Sequence, residues 1–300
     1  MKLLITGAWV DAKNHLSELQ SLGHEVVFMQ NESENLPCDP LWVEGVICNG
    51  LFLSHDISAF QNLKYIQLTS AGYDRVPMEY VTAHNITIHN ARGVYSIPMA
   101  EYALCGVLAL YKQSRFFLKN QMQHKWEKHR GLIELHGKTV CIVGCGSVGT
   151  ECAKRFSAFG TVVRGIDLLP RKADEYREIL PLDALNEVLP SADIVVLTLP
   201  LTDSTKHLFD RKRFEQMKWG AILVNIARGV IVDTEALVRA LQTNKLGGAV
   251  LDVFEEEPLP KDNPLWSFDN VMITPHNSFA GDGNEDRLFH IIESSLKGSF

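Results

Sequence analysis

Basic residues are in deficit in this chain: 29 Lys and Arg stand against 36 Asp and Glu, a formal charge of −7 over 300 residues. A nucleic-acid surface needs the opposite balance, so non-specific binding to DNA or RNA is excluded, although a local basic pocket for a small acid is not. Long apolar runs are also missing. The most apolar stretch, Tyr102 to Tyr111, is closed off by Glu101 and Lys112; spanning a bilayer takes about 20 residues, so this stretch reads as a buried helix and no membrane partner is expected. The N-terminal MKLLITGAWVDAKNHL meets polar residues too early for a signal peptide. There is no CxxC pair among Cys38, Cys48, Cys105, Cys141, Cys145 and Cys152. A disulfide framework is therefore not expected, and the reducing cytoplasm is the compartment this usage suits. Short-period repeats and low-complexity segments are absent as well.

What is present is 46% hydrophobic residues, enough for a large core, over a length that calls for two domains. The first part alternates apolar runs with helical patterns. Lys2–Thr6, Val26–Met29, Val46–Cys48 and Tyr65–Thr69 are predicted strands, and Ala12–Leu22 a helix stopped by Gly23. Around Ser96 the character changes. Pro98 can open a helix, and the MAEYALCGVLALY that follows is apolar on nearly every side. Such a helix should be buried all round, with a subunit interface as its favoured place. From Lys138 a second series offers six strands: Thr139–Val143, Val162–Ile166, Asp193–Thr198, Ala221–Asn225, Gly248–Val253 and Val271–Thr274. Thr234–Gln242 reads as a helix with Asp233 as its N-cap. Both series predict an α/β fold with parallel, doubly wound sheets.

The first chemical signal is Gly144-Cys145-Gly146-Ser147-Val148-Gly149, directly after the strand TVCIV and opening a helical pattern. Glycines at 144, 146 and 149 let the backbone turn tightly and approach a pyrophosphate, which the helix N-terminus stabilises. GxGxxG alone is weak. Here the strand before, the helix after and an acid at the end of the next strand, Asp167, agree. A carboxylate there accepts from ribose hydroxyls and repels a 2′-phosphate, so the expected cofactor is NAD rather than NADP. Arg164 and Arg171 are the residues that weigh against strictness.

The second signal is a set of charged residues just beyond strand ends: Arg228 after AILVNIA, Glu257 in LDVFEEEP and His276 after VMITP. Singly each has a bland reading, as a solvated turn residue. Together at one sheet edge they suit hydride transfer at C2 of a 2-hydroxy or 2-oxo acid. Histidine can exchange the hydroxyl proton near neutral pH, a carboxylate partner fixes its tautomer, and an arginine fork can hold a substrate carboxylate.

In order along the chain, GCGSVG (144–149), NIARG (225–229), LDVFEEEP (251–258) and TPH (274–276) resemble the D-isomer-specific 2-hydroxyacid dehydrogenases. The resemblance covers nearly the whole chain. It implies that Arg228 binds the substrate, that His276 is the acid/base and that Glu257 is its partner, with Glu255 and Glu256 solvated. It places Ser147 and Val148 on the pyrophosphate and Ile226, Ala227 and Asp252 toward the nicotinamide. Leu199 and Pro200 end a strand near the cofactor. In the first domain, TSAGYDRV (69–76) is similar to the family loop whose amides hold the substrate carboxylate, pointing to Ala71 and Gly72; the loop after Asn49 (GLF) is assigned to the substrate's side group. A flavodoxin-like substrate domain of residues 1–95 plus 282–300, a Rossmann NAD domain of 96–281 and a homodimer built on the helix from Pro98 are implied too. No metal is. Where many members have small residues after TPH, this chain has Asn277-Ser278-Phe279, so substrate preference does not carry over. Glu257 stands where the formate-oxidising branch has glutamine.

The rival from another class is an NAD(H)-sensing, dehydrogenase-like binding protein without turnover; an intact Arg–Glu–His set argues against it. Other NAD enzymes of similar architecture would need a lysine poised on the substrate, and no lysine here stands in such a motif.

Overall fold

All strands pair in parallel, in one sheet of five and one of seven. Parallel sheets are covered on both faces, so their central strands read as unbroken apolar runs rather than alternating ones. The computed structural model describes residues 1–298. Each sheet belongs to its own compact unit: Met1–Tyr95 with the segment from Gly281, and Ser96–Ala280.

The first unit contains β1 (Lys2–Thr6), α1 (Ala12–Ser21), β2 (Glu25–Met29), β3 (Gly45–Cys48), α2 (Leu51–Ser54), β4 (Tyr65–Leu68), α3 (Met78–Ala83) and β5 (Thr87–His89), in the strand order β2-β1-β3-β4-β5. This is the flavodoxin-like order, with its switch point between β1 and β3. α1 ends as its glycine predicts, with Gly23 at φ +86°. A C-terminal helix, Asn284–Gly298, completes this unit: Leu288, Ile292 and Leu296 join the core of Leu3, Ile5 and Trp9, and Arg287 Nε donates to the Val94 carbonyl at 2.7 Å. β5 was not expected. Three residues with only intermediate burial on two of them carry too little pattern to stand out.

The second unit runs α4 (Ser96–Tyr111), α5 (Ser114–Met122), β6 (Thr139–Val143), α6 (Ser147–Ala158), β7 (Val162–Ile166), β8 (Glu178–Leu180), α7 (Leu185–Val188), β9 (Ile194–Leu197), α8 (Arg211–Gln216), β10 (Ala221–Asn225), α9 (Thr234–Gln242), β11 (Leu246–Leu251) and β12 (Val271–Ile273). Its order, β12-β11-β10-β9-β6-β7-β8, is the Rossmann arrangement with β12 added at one edge. The sequence suggested six strands; β8 is the seventh, a short edge strand hidden by its polar start. β9 and β10 are buried throughout, each full-sized aliphatic side chain contributing about 1.5–3 kcal/mol. α9 is capped as expected: the Asp233 side chain accepts from Ala236 N at 2.9 Å.

α4 begins at Ser96, and within the single chain one side of it is buried. Ala100, Ala103, Gly106, Val107 and Tyr111 form the buried line, so close to β11 that a β-carbon on Gly106 would stand 2.5 Å from Val250 Cγ1. Glu101 and Cys105 are exposed, and Leu104 and Leu108 are half-buried. Composition gives the apolar content of a helix but not which side is covered.

Candidate active site

The carboxyl edge of the seven-stranded sheet turns at its switch point between β6 and β9, and the glycine motif lies there. Gly144 leaves β6 with φ +97°, and a β-carbon on it would meet Leu199 N at 2.6 Å. On Gly149 a β-carbon would stand 2.1 Å from the Gly144 carbonyl oxygen. At Gly146, the N-cap of α6, it would meet nothing within 4 Å. Two glycines thus close the turn on itself, and the third leaves an open face at a helix N-terminus, where backbone N–H groups and the helix dipole favour an anion. Ser147 and Val148, the first helical residues, are half-buried at that face. The geometry fits a dinucleotide pyrophosphate. Leu199 is buried against the turn and Pro200 is exposed beyond it.

Thr198 was missed by sequence reading. Its hydroxyl donates to the Gly144 carbonyl at 2.6 Å and so pins the turn to the end of β9. A polar residue at a strand end beside a switch point is the signal that could have found it. Asp167, beyond β7, accepts from Cys145 N at 2.7 Å and from Leu169 N at 3.1 Å. These bonds aim the carboxylate at the turn and leave it acceptor capacity for hydroxyls. Arg171 donates to the Cys145 carbonyl on the same turn. Burial pushes the Cys145 thiol up to about 11, so the turn carries no thiolate charge. Asp167→Ala should remove the carboxylate that opposes a 2′-phosphate while keeping Arg171 in place. The expected result is a ratio of NADPH to NADH kcat/KM raised by at least about 10-fold, the scale of a charge-assisted contact; an unaltered ratio would assign the preference elsewhere.

Further along the same edge, β10 and β11 deliver Arg228 and Glu257. Asn225, buried at the end of β10, accepts from Ala227 N at 3.1 Å and donates to the Arg228 carbonyl at 3.1 Å. This holds the turn that carries Ile226 and Ala227, both buried, and the half-buried Arg228. Gly229 then packs against the next turn, where a β-carbon would stand 1.8 Å from the Phe254 carbonyl carbon. Glu257 accepts from Phe254 N at 2.9 Å through Oε1, and its Oε2 lies 2.8 Å from His276 Nδ1. His276 sits at φ +50°, a region few non-glycine residues adopt. It is kept there by its own N–H, which reaches the carbonyls of Asp252 at 2.8 Å and Thr274 at 3.1 Å. With Nδ1 directed at Glu257, the ring is left with Nε2 for a reacting group.

Asp252 is buried, and its carboxylate accepts from Thr274 Oγ1 at 2.5 Å, Asn277 N at 2.8 Å and Ser278 N at 2.9 Å. Its visible work is therefore to fold the histidine loop. Glu255 is exposed, as expected, and is bonded as well: its Oε1 lies 2.6 Å from His207 Nε2 and its Oε2 accepts from Thr234 N at 2.9 Å. Partial burial works against ionisation, yet bonds from Thr234 and His207 hold the Glu255 carboxyl below the usual range. Glu256 is exposed as expected.

In the first unit, the loop after β4 uses up its carbonyls. Ser70 O accepts from Ala91 N at 2.9 Å, Ala71 O from Asn90 Nδ2 at 2.7 Å and Gly72 O from Ser70 Oγ at 3.2 Å. Its amides at 71 and 72 face no such partner among the described residues. The assignment after Asn49 fares differently: Gly50 caps the short α2, whose Leu51 is buried and whose Phe52 stacks edge-on against Phe60 at 5.9 Å. Those side chains serve the core. At this switch point the unforeseen residue is Glu32, which accepts from Asn49 N and Gly50 N at 2.7 Å each and from Thr6 Oγ1 at 2.7 Å. Among the described residues no cluster of His, Cys, Asp and Glu could hold a metal ion.

Comparison with known proteins bears on this arrangement. The family model described as "D-isomer specific 2-hydroxyacid dehydrogenase, NAD binding domain" matches residues 104–278. The chain is 35% identical over 255 residues to D-3-phosphoglycerate dehydrogenase of Methanocaldococcus jannaschii, covering 84% of this chain but 48% of that one; it spans about half the length of that relative. It is 37% identical over 248 residues to glyoxylate reductase of Thermofilum pendens, covering 80% of this chain and 73% of the other. The crystal structure of a D-isomer specific 2-hydroxyacid dehydrogenase family protein from Aeromonas salmonicida superposes with a TM-score of 0.84 at 31% identity, over 99% of this chain and 94% of that one.

Proposed function

Because this chain belongs to the D-isomer-specific 2-hydroxyacid dehydrogenase family and its cofactor is NAD, we propose that it interconverts a small D-2-hydroxy acid and the corresponding 2-oxo acid. The observation that carries this reading is the His276–Glu257 pair at 2.8 Å on the same sheet edge as Arg228 and the glycine turn. When bound, NAD(H) accepts or supplies the hydride at C2. His276 Nε2 takes the hydroxyl proton in oxidation and returns a proton to the developing alkoxide in reduction. Glu257, bonded to Nδ1, fixes the tautomer and supports the imidazolium. Arg228 would hold the substrate carboxylate in two parallel bonds.

Ser147 and Val148, with the three glycines, would hold the pyrophosphate, Asp167 the adenosine ribose, and Leu199, Pro200, Ile226 and Ala227 would line the cofactor's path. Asp252 supports the nicotinamide end indirectly, through the loop it folds. We assign the working form as a homodimer, since α4 keeps an apolar outer stripe and Trp126 and Met122 stand 99% and 83% exposed. The free cysteines suit a reducing cytoplasm, and among the described residues no helix is long and apolar enough to cross a membrane.

The decisive experiment mixes the protein with NADH and glyoxylate, hydroxypyruvate, pyruvate, 2-oxoisocaproate or phenylpyruvate and follows the loss of NADH absorbance. Oxidation with at least one acid is expected. Tight NADH binding with no oxidation would favour a sensing protein instead. With the best acid, Arg228→Ala should raise KM and lower kcat together, by at least about 10-fold in kcat/KM, because a charge-assisted bond is worth about 1.5–3 kcal/mol. A change confined to the KM for NADH would move Arg228 out of the substrate site.

A further inference from the structure

Two turns carry the reacting side chains of the second unit, and His207, outside both, is bonded to each. His207 lies at φ +48° on the segment between β9 and α8. Its backbone N–H donates at 2.8 Å to the carbonyl of Val230, on the turn that begins with Arg228. Its imidazole Nε2 stands 2.6 Å from Glu255 Oε1, on the turn that ends with Glu257. The second oxygen of Glu255 accepts from Thr234 N at 2.9 Å, at the first residue of α9. The turns themselves touch, since Gly229 leaves no room for a β-carbon against Phe254. Phe254 N in turn holds Glu257 Oε1 at 2.9 Å.

We propose that His207 and Glu255 act as a positioning clamp that locks the Glu257 turn against the Arg228 turn, so that Glu257 meets His276 in the productive orientation. The proposal rests on the acid/base role given to the His276–Glu257 pair. Neither His207 nor Glu255 is assigned a contact with substrate or cofactor. The neutral Nε2–H tautomer and the imidazolium can both make the bond to Glu255, so the clamp needs no protonation event. A left-handed backbone at a non-glycine residue persists only where its surroundings over-determine it, and at His207 the two bonds described here do that.

Four variants test the clamp: His207→Gly, Glu255→Ala, Glu255→Gln and the double variant His207→Gly/Glu255→Ala. Glycine adopts φ +48° without cost, so the first removes the ring and spares the backbone. His207→Gly and Glu255→Ala should each lower kcat by about 3- to 30-fold, within the range of coupled contacts, with KM for the 2-oxo acid and the affinity for NADH nearly unchanged. The double variant should be no worse than the poorer single one. Glu255→Gln, which can still join imidazole and Thr234 N, should recover most of the loss. Amide exchange at Phe254, followed by NMR without any substrate, should quicken in both single variants. Unchanged kcat and unchanged Phe254 exchange in His207→Gly would overturn the clamp, as would additive losses in the double variant. Should the wild-type protein oxidise NADH with none of the acids, the proposed reaction fails, and Phe254 exchange still decides the clamp.

Discussion

His276→Ala is expected to lower turnover with the best 2-oxo acid by at least about 100-fold, the contribution of a positioned acid/base group, while NADH binding stays nearly intact. The separation follows from how the histidine is held. Its backbone is fixed by bonds to the carbonyls of Asp252 and Thr274, and the loop around it by the Asp252 carboxylate. None of these bonds uses the imidazole. Alanine adopts φ +50° less readily than histidine, but every bond that fixes the backbone remains, so the loop should persist without the ring. The glycine turn after β6 does not touch the substitution either. Steady-state kinetics paired with a fluorescence titration of NADH read the two halves separately. Turnover equal to wild type would remove His276 from the acid/base role, and lost NADH binding would show that the loop had collapsed.

Gly229→Ala should be nearly as damaging although it adds a single methyl group. The new β-carbon would stand 1.8 Å from the Phe254 carbonyl carbon, 1.9 Å from its oxygen and 2.4 Å from its Cα. These are backbone atoms, and no flexible side chain can swing aside. The Arg228 turn and the Glu257 turn must separate, and displacement of a catalytic group by about 1 Å can cost about 100-fold in rate. We expect kcat/KM to fall by about that factor, with a stability loss of about 1–3 kcal/mol from overpacking, measured by denaturant titration. Arg228 and Glu257 themselves are left unchanged. Wild-type kinetics and stability in this variant would mean that the contact relaxes freely and that the spacing of the turns is not critical.

Much of the framework was legible in the sequence because its signals are local. Apolar runs at β1, β6 and β10 were bounded correctly since parallel strands covered on both faces leave no polar interruption. GCGSVG announced its turn because close approach of backbone to backbone at Gly144 and Gly149 requires glycine itself. Asp233 announced the start of α9 because a cap bonds within its own neighbourhood. β5 and β8, three residues each, were lost because pairing with a neighbour, not their own pattern, makes them strands. The GLF segment was assigned to the substrate's side group, whereas Leu51 faces the core, since a short apolar stretch looks the same in either place.

Residue type and spacing therefore determined the α/β class, the place of the dinucleotide turn and the identity of Arg228, Glu257 and His276 as candidates. The resemblance already paired Glu257 with His276, and the tertiary structure decided the remaining partners. Glu255, Glu256 and Glu257 are indistinguishable as a run of acids. All three are exposed, yet Glu255 is bonded to His207 and Thr234 N while Glu257 faces His276. His207 and Glu255 are 48 positions apart and Asp252 and Ser278 are 26 apart. Contacts of that separation leave no local trace, because they arise where sheet order brings strand ends together and not from any preference of the residues themselves.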